Sequence, residues 1–82
     1  MQNLAPLEPG TRALVLGLGR TGLSSARYLD RKGIEVRVAD TRDAPPGLAA
    51  LREQVPGAEI RTGAFESALL DGVAQVVISP GL

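Results

Sequence analysis

An α/β fold in three layers, with a parallel sheet between helices, is predicted by three features of this sequence. Residues 13–16 form an uninterrupted apolar run, which suits a strand buried on both faces. Gly17, Gly19 and Gly22 follow it in the spacing G-x-G-x-x-G and open a helical stretch that leads to a second strand pattern ending at Asp40. Because a helix-length segment separates the strand patterns, they must run parallel, joined by right-handed crossovers.

Composition sets the bounds. Eighty-two residues, 44% of them hydrophobic, make one small domain with a sheet and flanking helices but no deep core. Chains of this size bury roughly 60–65% of their unfolded surface. Nine basic residues balance nine acidic ones, so no long-range field points to nucleic acid or a membrane surface. Tyr28 and Phe65 are too few for a base-stacking platform. Without cysteine or histidine there is no disulfide frame, thiol nucleophile, histidine base or zinc site built from those ligands. No apolar run approaches a membrane span and no basic, apolar leader opens the chain, so a cytoplasmic setting is expected.

In order along the chain, residues 1–11 carry Pro6, Pro9 and Gly10 and read as an irregular lead-in, with Leu4 and Leu7 free to cover a sheet edge. After the first strand, Thr21 is expected to cap a helix ending at Lys32. Leu23, Ala26 and Leu29, with Tyr28 beside them, would form its buried stripe. Gly33 supplies the left-handed residue that ends it. Residues 34–39 form the second strand, and Pro45, Pro46 and Gly47 place a loop beyond Asp40. A short helix with Leu48, Leu51 and Val55 inward follows, closed by Pro56 and Gly57. Residues 58–61 read as a third strand, and residues 65–70 as a helical turn or two with Phe65 and Leu69 inward. Residues 73–78 read as a strongly β-branched fourth strand. The sum is a Rossmann-like half-sheet over residues 12–82, with about four strands in the order 3-2-1-4. Its abrupt end after a core strand is expected of one piece of a longer, multidomain protein.

The glycine pattern carries the chemistry. Gly17 allows a sharp turn, Gly19 lets backbone approach a pyrophosphate, and Gly22 lets helix pack on strand. The amides of Arg20, Thr21 and Gly22 would then face an anion at the positive end of the helix dipole. The same pattern also serves as a purely structural turn, but its position between strand and helix, with Asp40 closing the next strand, favours a nucleotide. Asp40 could accept both hydroxyls of a ribose, take a hydrogen bond from a uracil imide, or stand as a solvated strand end. Thr41 offers a hydroxyl and an amide at the same edge. Arg42 could meet a 2′-phosphate, stack on a base or remain solvated. Ser79 and Gly81 lie past the fourth strand, where reversal of strand order makes a crevice.

Val15-Leu16-Gly17-Leu18-Gly19-Arg20-Thr21-Gly22-Leu23-Ser24, Asp40-Thr41-Arg42 with Pro45-Pro46-Gly47-Leu48, Thr62-Gly63, and Val77-Ile78-Ser79-Pro80-Gly81 together resemble one family. It is the Mur ligase family, in particular the N-terminal, UDP-binding domain of its D-glutamate-adding members. The likeness runs from Thr11 to Leu82. The Asp-Thr-Arg, Pro-Pro-Gly and Ser-Pro-Gly segments are more specific than the glycine loop.

The resemblance implies a bacterial, cytoplasmic, three-domain enzyme of peptidoglycan synthesis, and so of cell shape and division. In such an enzyme ATP and Mg²⁺ activate the carboxylate of UDP-N-acetylmuramoyl-L-alanine as an acyl phosphate, which D-glutamate attacks. It further implies that loop amides at Arg20 and Thr21 touch the diphosphate, that Asp40 and Thr41 touch the uracil with Arg42 beside it, and that Ser79 to Gly81 line the nucleotide and sugar end. No G-x-x-x-x-G-K-[ST] loop for ATP occurs in this chain and no catalytic residue is assigned to it, so alone it is expected to be inert. An NAD(P)-binding module of an oxidoreductase or a regulatory sensor is the alternative, sharing the glycine loop and Asp40. A fourth strand left at the sheet edge would favour weak homodimers.

Overall fold

The apolar run after Thr11 forms β1 (Arg12–Leu16), the strand on which the others assemble. The structure is a computed structural model and describes residues 10–78. Around β1 lie α1 (Arg20–Arg31), β2 (Glu35–Asp40), α2 (Leu48–Gln54), β3 (Glu59–Thr62), a 3₁₀ segment (Ser67–Leu70) and β4 (Val73–Ile78). The sheet is parallel throughout in the order β3-β2-β1-β4, as predicted. Leu16 pairs with Ala39 on one side and Ile78 on the other, which brings the carboxyl ends of β1, β2 and β4 to one edge.

The two faces follow from strand alternation. Ala13, Val15, Val36, Val38 and Val77 point to the face covered by Ala26 and Leu29 of α1 and by Leu51 and Val55 at α2. On the opposite face Leu14 and Ala39 pack against Leu69 of the 3₁₀ segment, with Leu16 and Val73 partly buried beside them. The β1–β4 register slips between Arg12 and Ala13, which partner Val73 and Gln75 respectively, so Ala74 is left as a bulge.

Helix ends differ in detail from the sequence reading. Gly33 closes α1 with a φ of 77°. Its amide donates to the Asp30 carbonyl and that of Ile34 to the Leu29 carbonyl, the paired bonds of a Schellman end. At the other end Thr21 does not cap: Gly19 is the N-cap residue, with no side-chain bond, and the helix already starts at Arg20. The glycine turn delivers the chain so directly into the helix that Thr21 falls inside its first turn. Tyr28 is exposed and sits under Lys32, whose Nζ lies 5.5 Å from the ring centroid. Residues 65–70 make a 3₁₀ segment from Ser67, with Leu69 buried but Phe65 40% exposed rather than inward. Leu4, Leu7, Ser79 and Gly81 lie outside the described residues.

Candidate functional site

Where β1 ends, the chain must leave the sheet and enter α1 within three residues, and glycine makes this possible. Gly17 adopts a φ of 96°, a left-handed conformation that disfavours any side chain, while its amide is held by the Ala39 carbonyl at 2.8 Å. Gly19 is extended, and a Cβ built there would meet nothing within 4 Å, so its surface is open to an approaching group. The first intrahelical bond runs from the Leu23 amide to the Gly19 carbonyl. The amides of Arg20, Thr21 and Gly22 precede that bond and form the positive end of a twelve-residue helix. Arg20 and Thr21 are exposed, and Gly22 is buried against the sheet.

Beside this loop, β2 ends on Asp40, whose carboxylate is fully buried. Its Oδ2 accepts the Leu18 amide at 2.8 Å and Arg42 Nη2 at 2.6 Å. Its Oδ1 accepts the Arg42 backbone amide at 2.9 Å, an Asx-turn contact, and Arg42 Nε at 2.8 Å. The Arg42 side chain stays 48% exposed above the buried acid. Its hydrogen bonds, helped by the Leu18 and Arg42 amides, outweigh burial and hold the Asp40 carboxyl well below the usual carboxylate range. The same bond raises Arg42 above its ordinary value.

Leu18 is therefore gripped on both sides by the β2–α2 loop. Its amide goes to Asp40, and its carbonyl accepts the Gly47 amide at 3.1 Å. A Cβ on Gly47 would come within 3.2 Å of the Leu18 side chain and carbonyl, so any side chain there would push against Leu18. Sequence reasoning did not single out Leu18 or Gly47 for this contact. The signal available was Gly47 after two prolines, which reads equally well as a plain turn.

Of the residues expected at a site, Gly17, Gly19, Arg20, Thr21 and Gly22 meet Asp40, Thr41 and Arg42 at the carboxyl ends of neighbouring strands. Such sheets bind ligands at that edge. Ile78 of β4 reaches the same edge, beyond which Ser79 and Gly81 lie outside the described residues. A separate depression of about 350 Å³, lined by Arg12, Asp30, Glu35, Val55 and Glu59 among others, opens at the amino ends of the strands. Among the described residues no cluster of three or more histidine, cysteine, aspartate or glutamate side chains is placed to hold a metal, and no helix is long and apolar enough to cross a membrane.

Comparison with known proteins matches residues 11–82 to a family described as Mur ligase MurD-like, N-terminal domain. A UDP-N-acetylmuramoylalanine--D-glutamate ligase of Nitrosococcus oceani is 52% identical over 79 residues, covering 94% of this chain and 17% of its own length. A ligase of the same name from Ralstonia nicotianae is 59% identical over 69 residues, covering 84% of this chain and 14% of its own length. The chain thus spans about a sixth of the curated relatives it matches. Among solved structures, SirC, a precorrin-2 dehydrogenase, superposes with a TM-score of 0.71 at 15% identity, over 96% of this chain and 39% of that one, a likeness of fold alone.

Proposed function

The chain belongs to the MurD-like N-terminal domain family of Mur ligases, and we propose that it holds the UDP moiety of UDP-N-acetylmuramoyl-L-alanine for a ligase that adds D-glutamate in peptidoglycan synthesis. The observation that carries this reading is the meeting of two loops at one sheet edge: the helix-end amides at Arg20, Thr21 and Gly22, and the Asp40–Thr41–Arg42 turn pinned to them through Leu18. An anion fits the first and a base the second, as a nucleoside diphosphate requires.

In this reading Gly17, Gly19 and Gly22 shape the diphosphate seat, and the amides at Arg20 and Thr21 bind the diphosphate. Thr41 and Arg42 meet the uracil end with Asp40 beneath them, and Ser79 and Gly81 complete the sugar side. ATP and Mg²⁺ act on the acyl group in other domains of the parent enzyme, a bacterial cytoplasmic protein serving cell shape and division. This chain contributes binding and orientation and is inert on its own.

Titration of the ¹⁵N-labelled chain with UDP and, separately, with NADH tests the proposal. Shifts at Arg20, Thr21, Thr41 and Arg42 with UDP and not with NADH are expected. Stronger NADH shifts at the same amides would move the chain to the dinucleotide class, and formation of amide product by the chain alone would refute its inertness.

A further inference from the structure

Charge on this chain is segregated although its sum is zero. Arg12 on β1, Arg37 on β2, Arg61 on β3 and Arg42 just beyond β2 each face a carboxylate. On α1, by contrast, Arg20, Arg27 and Arg31 are exposed, and none has a carboxylate partner among the described residues. With Ser24 they stand at i, i+4, i+7 and i+11, on the line opposite the buried Gly22, Ser25, Ala26 and Leu29. The one acid of the helix, Asp30, lies to one side of that line and borders the depression at the amino ends of the strands. Tyr28, 42% exposed, lies on the other flank, with the Lys32 Nζ 5.5 Å from its ring centroid.

Helix stability does not account for this face. A cation in the last turn answers the helix dipole, which covers Arg31 and Lys32, but Arg27 lies mid-helix and Arg20 in the first turn, where the dipole opposes it. Arg20 adjoins the glycine loop, whereas Arg27 and Tyr28 serve neither the core nor the nucleotide seat. We propose that the outer face of α1, centred on Arg27, Tyr28 and Arg31, is a docking surface for an acidic segment of another polypeptide. It stands apart from the nucleotide reading. The face runs about 16 Å along the helix from Arg20 to Arg31, at about 1.5 Å per residue. Charge complementarity sets the sign of the partner, and Tyr28 sets its class. Protein interfaces concentrate tyrosine and arginine at their centres, where the ring supplies apolar area and each guanidinium can take a carboxylate through two hydrogen bonds. A lipid surface fits less well, because α1 buries its apolar residues on the sheet and Tyr28 is its one large hydrophobic side chain left to enter a bilayer. A nucleic acid fits less well too, since one ring offers no series of stacking positions and the chain carries no net charge.

Titration of the ¹⁵N-labelled chain with a synthetic glutamate-rich peptide carrying one central phenylalanine tests this. The amides of Arg27, Tyr28, Arg31 and Lys32 should shift, and the peptide should bind more weakly as salt is raised, since exposed charge pairs are screened. Arg52 is the internal control, an exposed arginine on α2 that also has no carboxylate partner among the described residues. Its amide should not move. Arg27→Gln combined with Arg31→Gln should weaken peptide binding about tenfold, Tyr28→Ala about threefold, and Arg52→Gln less than about twofold.

No shift at millimolar peptide would overturn the proposal, because the face would then hold nothing of this chemistry. Shifts of equal size at Arg52 and along α1 would overturn it as well, since they would reduce the effect to unspecific attraction between opposite charges. Tighter binding to vesicles of phosphatidylglycerol, or to a single-stranded oligothymidine, than to the peptide would assign the face to a different occupant and sink the choice of a polypeptide. The map on wild-type protein decides the matter even where a variant fails to fold.

Discussion

On the face that carries α1 and α2, the sheet sends Ala13, Val15, Val36, Val38 and Val77 into an apolar layer closed by Leu29, Leu51 and Val55. On the other face Leu14 stands in register with Arg37, a charged side chain only 6% exposed. Arg37 Nη1 donates to the carbonyls of Leu69 at 2.7 Å, Asp71 at 3.1 Å and Ala68 at 3.3 Å, and its Nε donates to Glu59 at 3.1 Å. One face is thus held by packing, which needs no direction. The other is held by directed hydrogen bonds to the carbonyls at the end of a 3₁₀ segment too short to bury much surface. Among the described residues, a buried cation gathers the backbone carbonyls that the short segment turns toward this face.

The sharpest way to break this comparison is on the packed face. Leu51 is fully buried, so Leu51→Ala should cost about 2–5 kcal/mol, a large share of the roughly 5–15 kcal/mol that holds a domain folded. A urea titration reads this directly as a lower midpoint. On the latched face Arg37→Ala leaves the carbonyls of Leu69 and Asp71 without their donor and should cost about 1–3 kcal/mol. Should Arg37→Ala prove the more damaging of the two, the ranking of packing over latch is wrong.

These two residues also mark what could be read from the sequence. Leu51 belongs to the i, i+3, i+7 stripe Leu48, Leu51, Val55, and the β1–glycine turn–α1–β2 unit was legible because its apolar runs and glycines answer to local rules. The parallel direction of the strands followed from the helix-length connections, and their order from the doubly wound pattern. Arg37 was not legible, since an arginine alternating with valines reads as the solvent side of a strand, and only the later segment that ends over it makes that side interior. Asp40 was placed correctly at the end of β2, but nothing in the spacing shows that Leu18 and Arg42 would occupy its oxygens. Thr21 reads as a cap because threonine is a good one, yet the backbone of the glycine turn makes Gly19, two residues earlier, the N-cap.

Acid should loosen the two faces unequally. Partial burial works against the charge of Glu59, but hydrogen bonds from Arg61 and Arg37 outweigh it and lower its pKa. A carboxyl depressed in the folded state adds stability above its unfolded value, roughly 4.3 for glutamate, and that stability is lost as pH falls through the folded value. The bridges to Arg37 and Arg61 lie on the latched face, so amide protection at Leu69 and Asp71 should fall before that at Val38 as pH drops from 6 to 3. Because Glu59 is partly exposed, the loss should be about 0.2–1 kcal/mol, and Glu59→Gln should remove it. Asp40 is also depressed and lies at the loop end, so its protonation should release Leu18 and Arg42 at lower pH still. Simultaneous loss of protection on both faces would mean that the latch is not an independent element.

The smallest effect on folding is expected where the latched face runs out. Ile78 is 66% exposed and Val76 40%, both on the side of β4 that Leu14 and Leu16 share, and among the described residues β4 is an edge strand, mostly β-branched and without a charge. Replacing Ile78 with Thr removes apolar surface already in water, so stability should change by no more than about 0.5 kcal/mol. Self-association is the property that should move. An uncharged edge with an apolar stripe beside it is a template for pairing with a second copy, which predicts weak dimers at millimolar concentration. Sedimentation should show those dimers weakened in Ile78→Thr and abolished in Val76→Lys, where a charge would be buried in the paired sheet. A monomer at every concentration would show that the bulge at Ala74, which twists the strand at its start, already protects the edge. A large loss of stability in Ile78→Thr would show instead that this side of β4 is covered in solution, and the contrast between a packed and a latched face would then have to be redrawn.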